Sequence, residues 1–402
     1  MTIMENQSLE NITVIGIGKL GLGFALLLEN SGYHVVGVDI FPDYVQSLNE
    51  KTIHFEEPYY NNLLKSSKNF EATTDLKKGI DHSNIIFIIV QTPNGGGQKF
   101  YDHTILSNVL EKIDKLKPKD KHFIIGCTVM PHFIDTIAST LMTQSQNCSI
   151  NYNPEFIAQG EIVQGFKNPD MILVGTHIPK ILTPILTDIY TRMTNTPPEF
   201  FFMTPLEAEI VKISLNGFIT TKISFANMIS DLCDHAGANK HTVLKAIGTD
   251  SRIGRKYFNP GLSFGGPCFP RDTKALKQLM DQHNIPSDIL QSTTKYNEHH
   301  NLQFAENIMS SNQTLKQNTL HSISATEHHD LDKDTYFKIS HVCYKANSTI
   351  PIIEESAKLK IAEILVKKYK KQVLIEDTPA ILQEVKKEYG SLFMYNPLKT
   401  FL

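Results

Sequence analysis

Short apolar runs recur through the first half of the chain, and each one stops at a polar or glycine-rich segment. They are Ile12 to Ile15, His34 to Val38, Ile85 to Val90, Phe123 to Ile125, Ser149 to Tyr152 and Met171 to Val174. Runs of this length, rich in β-branched residues and separated in part by helical patterns, predict buried strands of a doubly wound parallel sheet. Ligands of such sheets bind past the carboxyl ends of the strands. Three polar segments fall there: Gln91-Thr92-Pro93-Asn94, Cys127-Thr128-Val129-Met130-Pro131 and Asn153-Pro154-Glu155-Phe156. Thr128 and Glu155 are the candidates for function by position. Asn94 to Gln98 reads as a flexible surface loop.

The pattern changes at Pro205. From Leu206 to Ala236 almost no breaker occurs, which predicts one helix of about 45 Å at 1.5 Å per residue. That exceeds the need of a small domain, so the helix is expected to bridge two lobes and a partner subunit. Its apolar face is interrupted by Glu207, Glu209, Lys212, Asn216, Lys222, Asn227 and Asp231. Lys212 and Asn216 lie one turn apart on the same face. Helices are then expected from Thr273 to His283 and Ile289 to His300, and a polar linker from Ser310 to His329. A smaller α/β unit follows, with strands Tyr336 to Tyr344, Val373 to Ile375 and Phe393 to Tyr395, and helices Glu354 to Tyr369 and Pro379 to Tyr389. The expected division is 9–202, 203–309 and 318–402.

Composition narrows this further. With 402 residues the chain is too long for one core, and 41% apolar with 20% charged residues is ordinary globular composition. A net charge of −3 implies no bulk attraction to nucleic acid or membrane. Five cysteines without repeated spacing fit a reducing compartment. The first ten residues lack a cationic lead with an apolar block, and no run approaches a membrane span, so a cytoplasmic protein is expected. Nothing calls for a metal.

Two stretches carry chemistry. Gly16-Ile17-Gly18-Lys19-Leu20-Gly21 follows the first strand and opens a helical pattern at Phe24 to Leu28, the setting in which G-x-G-x-x-G binds a dinucleotide pyrophosphate. Asp39, ending the second strand, is at the distance where a carboxylate receives ribose hydroxyls and favours NAD over its phosphorylated form. The second stretch, Arg252 to Asp272, sets Cys268 among glycines and prolines in F-G-G-P-C-F-P-R-D. Backbone can approach a ligand closely there, and Cys268 reads as a covalent catalyst. Cys127, Cys148, Cys233 and Cys343 read as inert core.

With these residues assembled, the chain resembles the UDP-glucose dehydrogenase branch of the nucleotide-sugar dehydrogenases. The resemblance rests on G-I-G-K-L-G, C-T-V-M-P, N-P-E-F-I-A-Q-G, N-P-D-M-I-L-V-G, E-A-E-I-V-K-I-S-L-N, D-S-R-I-G and F-G-G-P-C-F-P-R-D, in that order. It implies a Rossmann-like NAD domain, a central helix at a homodimer core and a C-terminal domain that closes on a UDP-sugar. It also implies oxidation of a sugar C6 alcohol to a carboxylate with two NAD and one water. On this resemblance Lys212, Asn216 and Asp272 surround C6, and Thr128 helps to hold a water. Cys268 captures the aldehyde, and Glu155 activates water for thioester hydrolysis. Helix amides just after Cys268 would favour its thiolate. Thr92, Pro93 and Thr128 join Gly16, Gly18, Gly21 and Asp39 at the cofactor. Glu155, Phe156, Ile157, Lys212, Asn216, Tyr257, Phe258, Gly265 and Lys345 are implied at the substrate, Gly265-Gly266 by letting the sugar approach. Arg252 matches a residue that reaches the neighbouring subunit's substrate.

The chain departs from the family pattern twice. Where P-E-F-x-x-E is usual it has Gln159, which cannot take a proton. Where R-E-S is usual it has Glu354-Glu355-Ser356, so a carboxylate stands in place of a guanidinium and the accepted sugar is expected to change. The leading expectation is a UDP-glucose 6-dehydrogenase-like enzyme. Open beside it are a dehydrogenase for UDP-N-acetylhexosamine or GDP-mannose and a silent nucleotide-sugar binding protein. A two-electron alcohol dehydrogenase would need no thiol.

Overall fold

The computed structural model describes residues 10–97, 99–157, 159–310, 323–326, 336–345 and 350–398. The chain forms two compact units, divided between Lys212 and Ile213. In the first, β1 (Asn11–Ile15), α1 (Lys19–Asn30), β2 (His34–Val38), α2 (Pro42–Asn49), α3 (Tyr60–Ser66), β3 (Phe70–Thr73), α4 (Leu76–His82) and β4 (Ile85–Ile88) come first. They are followed by α5 (Thr104–Lys115), β5 (His122–Ile125), a π-helical turn (Phe133–Ala138), α6 (Ser139–Leu141), β6 (Ser149–Tyr152), α7 (Ile162–Lys167), β7 (Met171–Gly175), α8 (Pro179–Met193) and β8 (Glu199–Met203). One eight-stranded sheet has the order β3-β2-β1-β4-β5-β6-β7-β8.

Its strands serve two cores. Ile85 and Phe87 of β4 point into one cluster with α1, α7 and α8, and Ile86 and Ile88 point into the other with α5 and the π-helical turn. Side chains alternate faces along a strand, so a strand buried on both sides reads as an unbroken apolar run. The parallel sheet expected from the sequence holds from β3 to β6 and again for β7 with β8, but β6 and β7 pair antiparallel. The order reverses at β1, between β2 and β4, which puts the glycine turn after β1 at the topological switch point.

α9 (Pro205–Ala236) is the expected long helix. A capping box opens it: the Thr204 amide donates to Glu207 Oε2 at 2.8 Å, and the Glu207 amide faces Thr204 Oγ1. Gly237, at φ +71°, closes it, and the Ala238 amide donates back to the Cys233 carbonyl.

The second unit continues with α10 (Lys240–Thr249), α11 (Phe269–Gln282), α12 (Asp288–Ser310), β9 (Ile323–Thr326), β10 (Tyr336–Ser340), α13 (Ala357–Lys367), β11 (Gln372–Asp377), α14 (Pro379–Tyr389) and β12 (Met394–Pro397). Its sheet runs β12-β11-β10-β9, with β9 antiparallel. Ala305 and Ile308 of α12 share the core of this sheet with Phe337, Leu359, Ile375 and Val385. The polar linker expected from Ser310 to His329 lies mostly outside the described residues, and β9 falls within it. The strand expected to reach Tyr344 ends at Ser340, where the chain turns to let Asp377 accept the Val342 amide. No helix among the described residues is long and apolar enough to cross a membrane.

Candidate active site

The glycine motif is built as its chemistry requires. Gly16 has φ +86°, and a Cβ there would lie 2.4 Å from the Ile89 carbonyl oxygen. Gly21 lies under the turn, where a Cβ would come within 1.9 Å of the Gly16 carbonyl oxygen. Gly18 is different: a Cβ on it would meet no described atom within 4 Å. It is the N-cap of α1, whose first turn carries no acid, so the helix amides face open space suited to a pyrophosphate. Asp39 at the end of β2 accepts from the Ile17 amide at 3.2 Å and the Ile40 amide at 2.8 Å. A carboxylate offers about four lone-pair sites, which leaves acceptor capacity for two hydroxyls. These residues fit NAD.

The loops beyond β5 and β6 are each held by a buried carboxylate. Glu209 of α9 is fully buried and accepts from the His132 amide at 2.7 Å and the Ile134 amide at 2.9 Å. The same loop is tied by His103, whose Nε2 accepts from the Met130 amide at 3.3 Å. Burial raises the Glu209 pKa to about 7 against its two amide donors. Burial also lowers that of His103 to about 4, consistent with a neutral ring that can accept. Thr128 sits half-buried in this loop. Glu57 is the second clamp, accepting from the amides of Gly160 and Ile162, each at 2.9 Å, and so fixes the segment after Glu155. Neither clamp was found from the sequence, because an acid inside a helical pattern or beside a proline reads as surface. The expected flexible loop at Asn94 is a closed turn, with the Gly95 amide donating to the Lys99 carbonyl at 2.8 Å. Thr92 is buried and Pro93 exposed at the end of β4.

Glu155, Phe156 and Lys212 form one cluster. The Lys212 ammonium donates to the Glu155 carbonyl at 2.6 Å and sits 4.4 Å from the Phe156 ring centre. The Glu155 carboxylate accepts from the Tyr190 hydroxyl at 3.1 Å. Burial raises its pKa to about 7, and Tyr190 and Lys212 oppose the shift. That is the range of a general base working near neutral pH. Ile157 is packing, its side chain filling the space beside Gly165 of α7.

In the second unit, Asn216 Nδ2 donates to Asp272 Oδ2 at 2.6 Å, with Asp272 only 1% exposed. α11 starts at Phe269, earlier than expected, so Cys268 is its N-cap and the Asp272 amide donates to the Cys268 carbonyl at 2.8 Å. Thr220 of α9 bonds Thr273 at 2.8 Å, and a Cβ on Gly217 would meet Leu276 at 2.8 Å, so the start of α11 is pinned on α9. Cys268 is exposed, and Cys127, Cys233 and Cys343 are buried. Cys148 is half-buried at a loop rather than in the core, its thiol facing the Gln146 carbonyl at 3.3 Å.

The segment leading to Cys268 has no regular structure, yet its backbone is satisfied by buried side chains. Asn227 bonds the Gly261 amide and the Leu262 carbonyl, at 3.2 and 3.1 Å. Asn297 bonds both the amide and the carbonyl of Phe264, at 2.8 and 2.9 Å. Ser263 donates to Asn301 at 2.6 Å.

Several expectations change here. The space beside Gly265 is filled by the Glu355 carbonyl oxygen, 2.1 Å from where a Cβ would be, and that beside Gly266 by the Tyr344 ring. Both positions therefore require glycine for the chain's own packing. Phe258 is 3% exposed and packs with Ala226 and Leu244, so it is core. Its neighbour Tyr257 is exposed, at φ +59°, with its ring edge-on to Phe269. Arg252 is exposed and bidentate to Asp250, at 3.0 and 2.7 Å. Lys345 is half-buried. Helix α13 begins at Ala357, not at Glu354; the Glu354 carbonyl accepts the Gly266 amide, and Glu355 pairs with Lys360 and Lys274.

The NAD-binding-domain model of the UDP-glucose/GDP-mannose dehydrogenase family matches residues 10–194, and the central-domain model of that family matches residues 206–299. UDP-glucose 6-dehydrogenase of Rickettsia prowazekii is 32% identical over 293 residues, covering 71% of this chain and 66%, just under two-thirds, of that protein. The enzyme of the same name from Rhizobium meliloti is 30% identical over 296 residues, covering 71% of this chain and 67% of that one. A UDP-glucose dehydrogenase structure from Pyrobaculum islandicum has the same fold, with TM-score 0.78 and 24% identity over 98% of this chain and 88% of that chain. The glycine turn and Asp39 at the switch point belong to an NAD-binding domain, and with it the chain belongs to the UDP-glucose/GDP-mannose dehydrogenase family.

Proposed function

We propose that the protein is an NAD-dependent nucleotide-sugar 6-dehydrogenase that oxidises a C6 alcohol to the uronate, with UDP-glucose as substrate. The observation that carries this reading is Cys268, an exposed thiol at the N-cap of a 14-residue helix. Helix amides there favour a negative sulfur. Gly16, Gly18, Gly21, Asp39, Thr92, Pro93 and Thr128 would hold NAD, which would supply the hydride acceptor for two oxidations. Asn216 and Asp272 order the water or base that takes the C6 hydroxyl proton, with Thr128 assisting, and Lys212 stabilises the developing oxyanion. The Cys268 thiolate then adds to the aldehyde carbon, and the resulting oxyanion takes up a proton to give a thiohemiacetal. Loss of a second hydride and a proton leaves a thioester. Glu155 removes a proton from water, which attacks the thioester and releases the uronate and the thiol. Phe156, Tyr257 and Lys345 are assigned to the substrate, with Arg252 reaching the site of a second copy.

The three-part division stays part of this reading, with residues 318–402 binding the UDP-sugar. Homodimerisation through α9 is supported by a line of exposed apolar side chains, Phe218, Phe225, Met228 and Leu232. All five cysteines are free, which fits a reducing cytoplasm. Incubation with NAD and a panel of UDP- and GDP-sugars tests the reaction. Two NADH per sugar and a uronate product are expected from UDP-glucose. Tight sugar binding without NADH would support the silent reading that Gln159 and Glu354 raise.

A further inference from the structure

His300 is 5% exposed, on α12, and the reaction above does not use it. Its Nδ1 lies 2.8 Å from Asp231 Oδ2 on α9, and its Nε2 lies 2.9 Å from the Gly261 carbonyl oxygen in the segment that leads to Cys268. A carbonyl can only accept, so Nε2 carries a proton. Asp231 Oδ2 already accepts from the Tyr296 hydroxyl at 2.6 Å. Burial works to raise the Asp231 pKa, but the hydrogen bonds from His300 and Tyr296 outweigh it and hold the carboxyl below its ordinary value. A carboxylate also only accepts, so Nδ1 carries a proton as well. The remaining groups around the pair agree: the Lys240 charge favours the Asp231 carboxylate, and the Tyr296 ring stacks on the imidazole with centroids 6.4 Å apart.

We propose that His300 is a positioning residue, held as an imidazolium between Asp231 and the Gly261 carbonyl, and that this ion pair fixes the segment that delivers Cys268. His300 shares one face of α12 with Asn297 and Asn301, three positions before it and one after, which grip Phe264 and Ser263. Those two are neutral amides; His300 adds a charge-assisted bond, roughly twice as strong as a neutral one. The pair therefore anchors the upstream end of the segment to α9 and α12 together. The proposal rests on Cys268 as the catalytic thiol, but its test does not require turnover.

Two measurements on the full chain decide it. In nitrogen-15 spectra of histidine-labelled protein, the signals lost in His300→Gln should report both ring nitrogens protonated at neutral pH. Iodoacetamide alkylation of Cys268 should change several-fold in His300→Gln and Asp231→Asn, and kcat should fall about tenfold with NAD affinity unchanged, the size expected of a small misplacement. A neutral ring with one bare nitrogen would overturn the proposal, and so would wild-type alkylation and kcat in both variants. If the variants fail to fold, the spectrum of the wild-type protein, assigned through its contacts to Tyr296, still decides between the two ring states. Should no sugar be oxidised while the ring is doubly protonated and alkylation shifts, the positioning role stands and the reaction does not.

Discussion

Glu155 carries the clearest pH consequence. Burial disfavours its ionised form and raises its pKa to about 7 from the ordinary 4.5. Only the carboxylate can take a proton from water, so the hydrolytic rate should rise with pH through about 7. Stopped-flow pH profiles of acyl-enzyme decay check this; in Glu155→Gln the limb near 7 should vanish and the thioester accumulate. A profile unchanged by that substitution would move the base elsewhere. Cys268, Lys212 and Asn216 could be singled out in the sequence because a thiol among glycines and a polar pair on one helix face are local signals. The contact of Asn216 with Asp272 joins positions 56 residues apart. Glu57, Glu209 and His300 could not be singled out. Their meaning lies in amides and carbonyls far along the chain, such as Glu209 with His132, 77 residues earlier.

At the scale of elements, the buried carboxylate of Glu209 ties α9 to the loop that bears Thr128. Glu209→Ala leaves two amides without their acceptor, and urea unfolding of the variant should report a loss of about 2 kcal/mol or more. An unchanged midpoint would mean the loop is held without it. The glycine turn makes a second demand: in Gly21→Val the new Cβ meets the Gly16 carbonyl, so NAD affinity by calorimetry should weaken at least about tenfold. Unchanged affinity would separate the turn from the cofactor. Strands buried on both faces were legible as apolar runs, whereas β3 and β8, at the sheet's two edges and half-exposed, were not. α10 carries a local signal, since Asn239 caps it through the His241 and Thr242 amides. The antiparallel turn of β7 against β6 has no signature in apolar periodicity, which is the same for either strand direction.

For the whole molecule, the exposed line on α9 sets the expected assembly. Phe218 is 68% and Leu232 61% exposed, and singly such residues need no explanation, but four along one helix do. Sedimentation should give a dimer for the wild-type chain and a monomer for Phe218→Glu with Leu232→Glu; an unshifted dimer would put the interface elsewhere. The long helix itself was legible as a run almost without breakers from Leu206 to Ala236.

The covalent step is the claim on which the rest depends, and intact-protein mass spectrometry tests it most directly. Glu155→Gln, quenched during reaction with NAD and UDP-glucose, should carry one substrate-derived acyl group, which peptide mapping assigns to Cys268. Cys268→Ser should carry none and form no uronate, while still binding NAD. An unmodified chain together with uronate formation by Cys268→Ser at the wild-type rate would contradict the account.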